Sequence, residues 1–197
     1  MDRLHSLTFL LLTSLAFLAC DEGQAEQPAP APVSRFEAVA AKPKADPFED
    51  FCDVRPAQGQ GPKLTLPATD TAPAQTTGSQ WLNLWATWCK PCVEELPMIA
   101  GFQQRMTQAN TPLTVHFVSV DTTAEAVAQF RSQHPGMPDT MRLVDADGLA
   151  PYVESLGLGA GTGLPVHVFA GPDGRIRCVR SGAVLQSHYD TIALLMR

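Results

Sequence analysis

Trp85-Ala86-Thr87-Trp88-Cys89-Lys90-Pro91-Cys92 sets two cysteines three residues apart, directly after the strand-like run Trp81-Leu82-Asn83-Leu84-Trp85 and before a helix-like one. A thiol in the first turn of a helix meets unpaired N–H groups and the positive end of the helix dipole, which favour the thiolate. Its partner one turn on is near enough to close a disulfide. Pro91 suits that turn, because its missing N–H has no intrahelical acceptor to serve and its φ is already helical. The same spacing is half of many zinc sites, and a bridge here can also be purely structural. A zinc site needs a second pair of ligands. Cys20, Cys52 and Cys178 are dispersed, and His5, His116, His134, His167 and His188 show no ligand spacing. Redox chemistry is therefore the favoured reading, with no metal and no cofactor expected.

Outward from the motif, the run 81–85 reads as a buried central strand, apolar on both faces except at Asn83. The helix from about Cys89 extends towards Met106, with a kink expected at Pro97. Leu113 to Val120 is a second strand, and Thr122-Thr123-Ala124-Glu125 is a capping-box pattern opening a helix to about Gln133. Met141 to Val144 is a short strand and Pro151 to Leu156 a short helix. Val166 to Phe169 and Ile176 to Arg180 form a hairpin around Gly171-Pro172-Asp173-Gly174. A final helix is expected over Val184 to Met196, and a short strand over Lys63 to Leu66. This order describes an α/β fold, a central mixed sheet flanked by helices and closed by an antiparallel hairpin.

The 197 residues are 45% hydrophobic and 17% charged, enough for one core plus extensions. A formal net charge of −6 and the lack of any Lys/Arg-rich run disfavour nucleic acid as a partner. Residues 1–19 read as an export signal: Arg3 precedes an apolar stretch, Leu7 to Ala19, too short for a comfortable membrane span. The stretch ends in Leu18-Ala19-Cys20, which resembles the lipobox of bacterial lipoproteins, implying lipidation at Cys20. Phe17 stands where that pattern prefers Leu, and Asp2 offsets Arg3. Ordinary cleaved secretion and a retained anchor are the alternatives. Asp21 resembles an inner-membrane retention signal. Residues 20–62, rich in Pro and Ala, read as a tether unable to offset its chain entropy by burial. Within it, Pro47-Phe48-Glu49-Asp50-Phe51-Cys52 is where docking begins. The folded domain is then expected over 63–197.

Asn83-Leu84-Trp85-Ala86-Thr87-Trp88-Cys89-Lys90-Pro91-Cys92-Val93-Glu94-Glu95-Leu96-Pro97, with Gly163-Leu164-Pro165 and Asp173-Gly174-Arg175-Ile176 downstream, resembles the TlpA/ResA/CcmG branch of thioredoxin-like proteins. The resemblance covers about Lys63 to Arg197. It implies a membrane-tethered extracytoplasmic thiol–disulfide oxidoreductase, more a reductant than an oxidant, with cytochrome c maturation as one setting. By the same resemblance Cys89 attacks a substrate disulfide and Cys92 resolves the mixed disulfide. Trp88 shields the pair, and Lys90 adds positive charge. Pro165, after Leu164, is a cis-proline whose neighbouring backbone edge pairs with substrate. Glu95 handles the proton of Cys92. Each has a plainer alternative. Glu95 could be an exposed helix carboxylate, Trp88 packing, and Pro165 a trans proline at a strand start. Asn83 stands where thioredoxin has a buried aspartate, which moves proton transfer towards Glu95 or water. Val166-His167 stands where the family often has Thr-Thr, which bears on substrate choice. His167 reads as a strand residue, although histidine titrates near neutral pH.

With Cys20 lipidated and Cys89 paired to Cys92, Cys52 and Cys178 remain. In an exported protein they are expected to bridge, pinning the end of the tether to the last strand, with a free buried pair as the alternative. The implied partners are disulfide-containing or thiol-bearing exported proteins, an upstream electron donor at the membrane, and the membrane itself through the lipid. The implied location is the periplasmic side of a bacterial membrane, or soluble periplasm if no lipid is attached. A non-catalytic scaffold lipoprotein with a structural Cys89–Cys92 bridge is the competing class. A copper-binding protein would want CxxxC with a distal histidine or a Met-rich segment, and neither is present.

Overall fold

The computed structural model describes residues 46–197; the signal segment, Cys20, Asp21 and the first part of the tether lie outside the described residues. The centre of the sheet is β1 (Ser79–Trp85), whose side chains are buried at every position but Gln80. A strand buried on both sides needs neighbours on both edges and cover on both faces. Accordingly β1 pairs in parallel with β2 (Leu113–Ser119) and antiparallel with β4 (Val166–Ala170). The two-residue β3 (Met141–Arg142) extends the β2 edge in parallel, and β5 (Ile176–Ser181) closes the other edge antiparallel to β4. The order is β3-β2-β1-β4-β5, the mixed sheet with a closing hairpin that the element order implies.

Helix α1 (Lys90–Gln108) covers the sheet with one stripe, Cys92, Glu95, Leu96, Ile99, Phe102 and Met106, at steps of three and four. It runs without interruption through Pro97, where a kink was expected. Pro97 lies on the exposed side of the helix, where solvent can satisfy the carbonyl that loses its partner. Helix α2 (Ala124–Gln133) starts one residue later than the capping box predicts. Thr123, not Thr122, is the N-cap, and its Oγ1 accepts from Ala126 N at 3.2 Å. Glu125 is then a first-turn acid rather than the returning side chain of a box.

Three other expectations need correction. Lys63 to Leu66 forms a single bridge, Lys63 to Arg175, and not a strand. Val144 falls outside β3. The final helix is shorter: a 3-10 turn, Gln186–His188, leads into a seven-residue helix, α4 (Tyr189–Leu195). Between β3 and β4, a 3-10 turn at Ala146–Gly148 leads into α3 (Leu149–Ser155), with Pro151 in its first turn.

Packing begins ahead of residue 63. Phe51 is buried in the core, Val54 bridges Val179 on β5, and Asp53 accepts from Ser181 N. Gly61 lies so close to β5 that a Cβ there would fall 1.9 Å from the Ile176 carbonyl oxygen. Only glycine allows that approach. Arg180 reaches back from β5, donating to the Phe51 carbonyl at 2.9 Å with its guanidinium over the Phe51 ring. A disulfide joins Cys52 to Cys178 across 126 residues of chain.

Closing so long a loop restricts the unfolded chain strongly. Replacing Cys52 and Cys178 together by Ser should lower unfolding stability by about 2–5 kcal/mol. Urea unfolding checks this, and a midpoint equal to that of the unaltered protein would mean the bridge contributes nothing.

Candidate active site

The two cysteines of the motif sit where β1 hands over to α1. Cys89 is the N-cap of α1, with extended backbone (φ −87°, ψ 96°), and its sulfur accepts from Cys92 N at 3.3 Å. A cap position normally takes an oxygen acceptor. Here sulfur occupies it, so a helix-end N–H points at the atom that would carry negative charge in the reduced form. Cys89 and Cys92 are joined as a disulfide. Their burial differs: Cys89 keeps 6% of its surface, and Cys92 keeps none. An incoming sulfur can therefore meet Cys89 first.

Beneath the pair lies a connected set of buried polar side chains. Glu95, one turn beyond Cys92 on α1, is buried rather than exposed. Asn83 of β1 donates from Nδ2 to Glu95 Oε1 at 3.0 Å, and Val184 N donates to Oε2 at 2.8 Å. Asn83 Nδ2 is also 3.3 Å from His167 Nδ1, to which Trp81 Nε1–H donates at 3.2 Å. His167 is fully buried and lies directly opposite Asn83 in the β1–β4 ladder. Its Nε2 is 3.4 Å from Glu95 Oε1, outside hydrogen-bond alignment, and has no other partner. Sequence reasoning treated His167 as a strand residue. The signal that could have found it was register, since β4 pairs with β1 so that His167 falls opposite Asn83, the polar position within the apolar run 81–85.

The loop that carries Trp88 and Cys89 is held by Asp121, a second buried carboxylate the sequence reading did not single out. Asp121 accepts from Thr87 N at 2.9 Å, from Thr87 Oγ1 at 2.7 Å and from Ser119 Oγ at 2.6 Å. Val120 N donates to the Trp85 carbonyl beside it at 2.8 Å. The end of β2 thus fixes the turn before α1.

The remaining residues singled out in the sequence fall into two groups. Pro165 is buried at the start of β4, follows a cis peptide bond from the half-buried Leu164, and accepts from Gly182 N at 2.8 Å through its carbonyl. Trp88 stands in solvent, 71% exposed, an apolar surface next to the pair. Lys90 is also in solvent and lies 3.8 Å from Glu94 one turn on, so part of its charge is offset and the rest is screened by water. Pro91 occupies the first turn of α1. The Cys52–Cys178 bridge belongs to the outer β5 edge, apart from this group. A pocket of about 510 Å³ lined by Phe48, Arg55, Arg175, Arg177 and Arg197 contains none of the site residues. The chemistry sits at a helix end.

No family model matches the chain. Over 49 residues, 25% of this chain, it is 37% identical to the thioredoxin-like protein YneN of Bacillus subtilis. That match spans 29% of the relative's length. Among solved structures the chain is similar to a thiol-disulfide isomerase from Corynebacterium glutamicum, with 15% identity and a TM-score of 0.50, covering 68% of this chain and 94% of the other. A thiol:disulfide interchange protein of the thioredoxin family from Chlorobium tepidum has 18% identity and a TM-score of 0.48, covering 64% and 97%. At such identities the likeness is one of fold, and the fold is thioredoxin-like.

Asp121 supplies the acceptors for three donors that would otherwise be stranded. Asp121→Ala should cost about 2–4 kcal/mol in unfolding free energy, because buried donors lose a charged acceptor. It should also loosen the Thr87–Cys89 turn, seen as faster amide exchange at Thr87 than in the unaltered protein. Unchanged stability and exchange would show that the turn is held by other contacts.

Proposed function

We propose that the protein is an extracytoplasmic thiol–disulfide oxidoreductase that reduces disulfides of exported proteins through Cys89 and Cys92. The observation that carries this reading is the asymmetric pair at the start of α1, with Cys89 as N-cap and Cys92 fully buried one turn later. In the reduced form, Cys89 thiolate attacks one sulfur of a substrate disulfide, and the departing substrate sulfur takes the electron pair. A mixed disulfide forms. Cys92 then loses its proton, attacks Cys89 Sγ and closes the internal disulfide, releasing the second substrate sulfur as thiolate. Substrate ends as dithiol and the protein as disulfide, so an upstream electron donor must reduce the pair again.

Glu95 is the proposed acceptor of the Cys92 proton, which its place one turn on from Cys92 and its burial with only two aligned donors both support. Pro165, Leu164 and Trp88 form the proposed surface on which a substrate backbone lies. The lipobox-like Leu18-Ala19-Cys20 supports a lipid anchor on the periplasmic side of a membrane, with 20–45 as tether. Among the described residues no helix is long and apolar enough to cross a membrane. Cytochrome c maturation is the proposed setting.

Equilibration of the full chain with glutathione or dithiothreitol buffers tests the reading. The pair should cycle reversibly, with a reduction potential nearer the roughly −270 mV of thioredoxin than the roughly −120 mV of a strong oxidant. A value near the oxidant end would overturn the reductant assignment. A pair that never cycles would make Cys89–Cys92 a structural bridge on a scaffold.

A further inference from the structure

His167 is a fully buried polar side chain that the proposed exchange steps do not use. Its surroundings fix its protonation by elimination. Indole nitrogen only donates, so the ring atom that receives the Trp81 N–H, Nδ1, must be an acceptor. One hydrogen of Asn83 Nδ2 approaches the same atom while the other serves Glu95. An imidazolium would carry a proton on Nδ1 and set N–H against N–H in a place with no access to water. The ring is therefore neutral, with its single proton on Nε2. Nε2 lies 3.4 Å from Glu95 Oε1 but out of hydrogen-bond alignment, and among the described residues no other acceptor partners it.

Of the other charged or titratable groups around the ring, those on β5 oppose a positive charge on it, whereas the Glu95 carboxylate on α1 favours one, so the neutral state rests on the Trp81 N–H. From β5, Arg180 stands opposite His167 in the ladder, and its positive charge opposes a second one on the ring. From the turn before α4, His188 is held below its ordinary value by burial first and then by Arg180. From α1 come Glu95 and the cysteines. From β1 come Trp81 and Asn83, neither of which titrates.

We propose that His167 is a positioning residue of the exchange reaction: locked by Trp81 as the Nε2–H tautomer, it orients the Glu95 carboxylate and favours its ionised form, ready for the proton of Cys92. This rests on the thiol–disulfide reading and on Glu95 as proton acceptor. In the closing step Cys92 Sγ–H passes its proton to Glu95, the Cys89–Cys92 bond forms, and the Cys89–substrate bond breaks with its electron pair on the substrate sulfur. When the protein is reduced again, Cys92 recovers the proton from Glu95. His167 neither gains nor loses one. It contributes a ring held in one orientation by the Trp81 N–H, beside both Asn83 and Glu95.

Two measurements on the full chain test this. The first follows the rate of reduction of a model peptide disulfide between pH 5 and 9. His167→Leu removes the N–H dipole beside Glu95 and should move the midpoint of the profile upward by about one pH unit, since a buried carboxylate that loses a neighbouring polar group is harder to ionise. His167→Gln keeps a donor and an acceptor and should stay near the unaltered profile. A His167→Leu profile that superposes on the unaltered one overturns the assignment while leaving the thiol–disulfide reading intact. An unaltered protein that exchanges at no pH overturns both. The second needs no variant and so does not depend on one folding: nitrogen-15 NMR of the histidines should find His167 Nδ1 unprotonated and Nε2 protonated from pH 5.5 to 8, in both redox states. An imidazolium signature, or the opposite tautomer, contradicts the proposal.

Discussion

A carboxylate taken fully out of water costs several kcal/mol unless donors replace its hydration, and Glu95 is such a carboxylate. Its replacements come from far along the chain: Asn83 twelve residues before it, and Val184 N eighty-nine residues after it. Satisfying them fixes the helical phase of α1 on β1 and draws the segment after β5 back over the sheet. Once that phase is set, Cys92 lies on the same buried stripe and Cys89 is left at the helix end. The difference in access between the two sulfurs thus follows from where one acid had to go.

The charge around the pair is arranged more by backbone than by side chains. Lys90, the nearest cation in sequence, is solvated and faces Glu94, so its influence on Cys89 is weak. The N–H of Cys92 is fixed, short-ranged and shielded by burial, and it points at the Cys89 sulfur. Asp121 acts indirectly, because the turn it holds decides where Cys89 caps the helix. The two buried acids thus divide the work, with Asp121 placing the attacking sulfur and Glu95 lying one turn beyond the resolving one.

Much of this was legible in the sequence because it is local. The strand–cysteine–helix order, Pro91 in the first turn, the polar break at Asn83 and the Asp173-Gly174 hairpin each depend on neighbours a few residues apart. What was not legible depends on register and distance. Whether Thr122 or Thr123 caps α2 turns on one residue of phase, which pattern alone does not set. The length of α4 is set by Leu185, whose extended backbone (φ −119°, ψ 162°) and the 3-10 turn after it delay the helix to Tyr189. Lys63 to Leu66 has strand composition but forms a single bridge, to Arg175 just before β5. His167 looked like any strand residue until the β1–β4 ladder set it against Asn83. Asp121 lies just past the end of β2, and its role appears only with Thr87 beside it.

The account stands or falls on the division of labour between the two sulfurs. Full-length Cys92→Ser and Cys89→Ser variants, each incubated with oxidised glutathione and read by mass spectrometry without reductant, test it directly. The Cys92→Ser protein should accumulate a mixed disulfide through Cys89, while the Cys89→Ser protein stays unmodified over the same time. Equal modification of the two, or faster modification of Cys92, would contradict it.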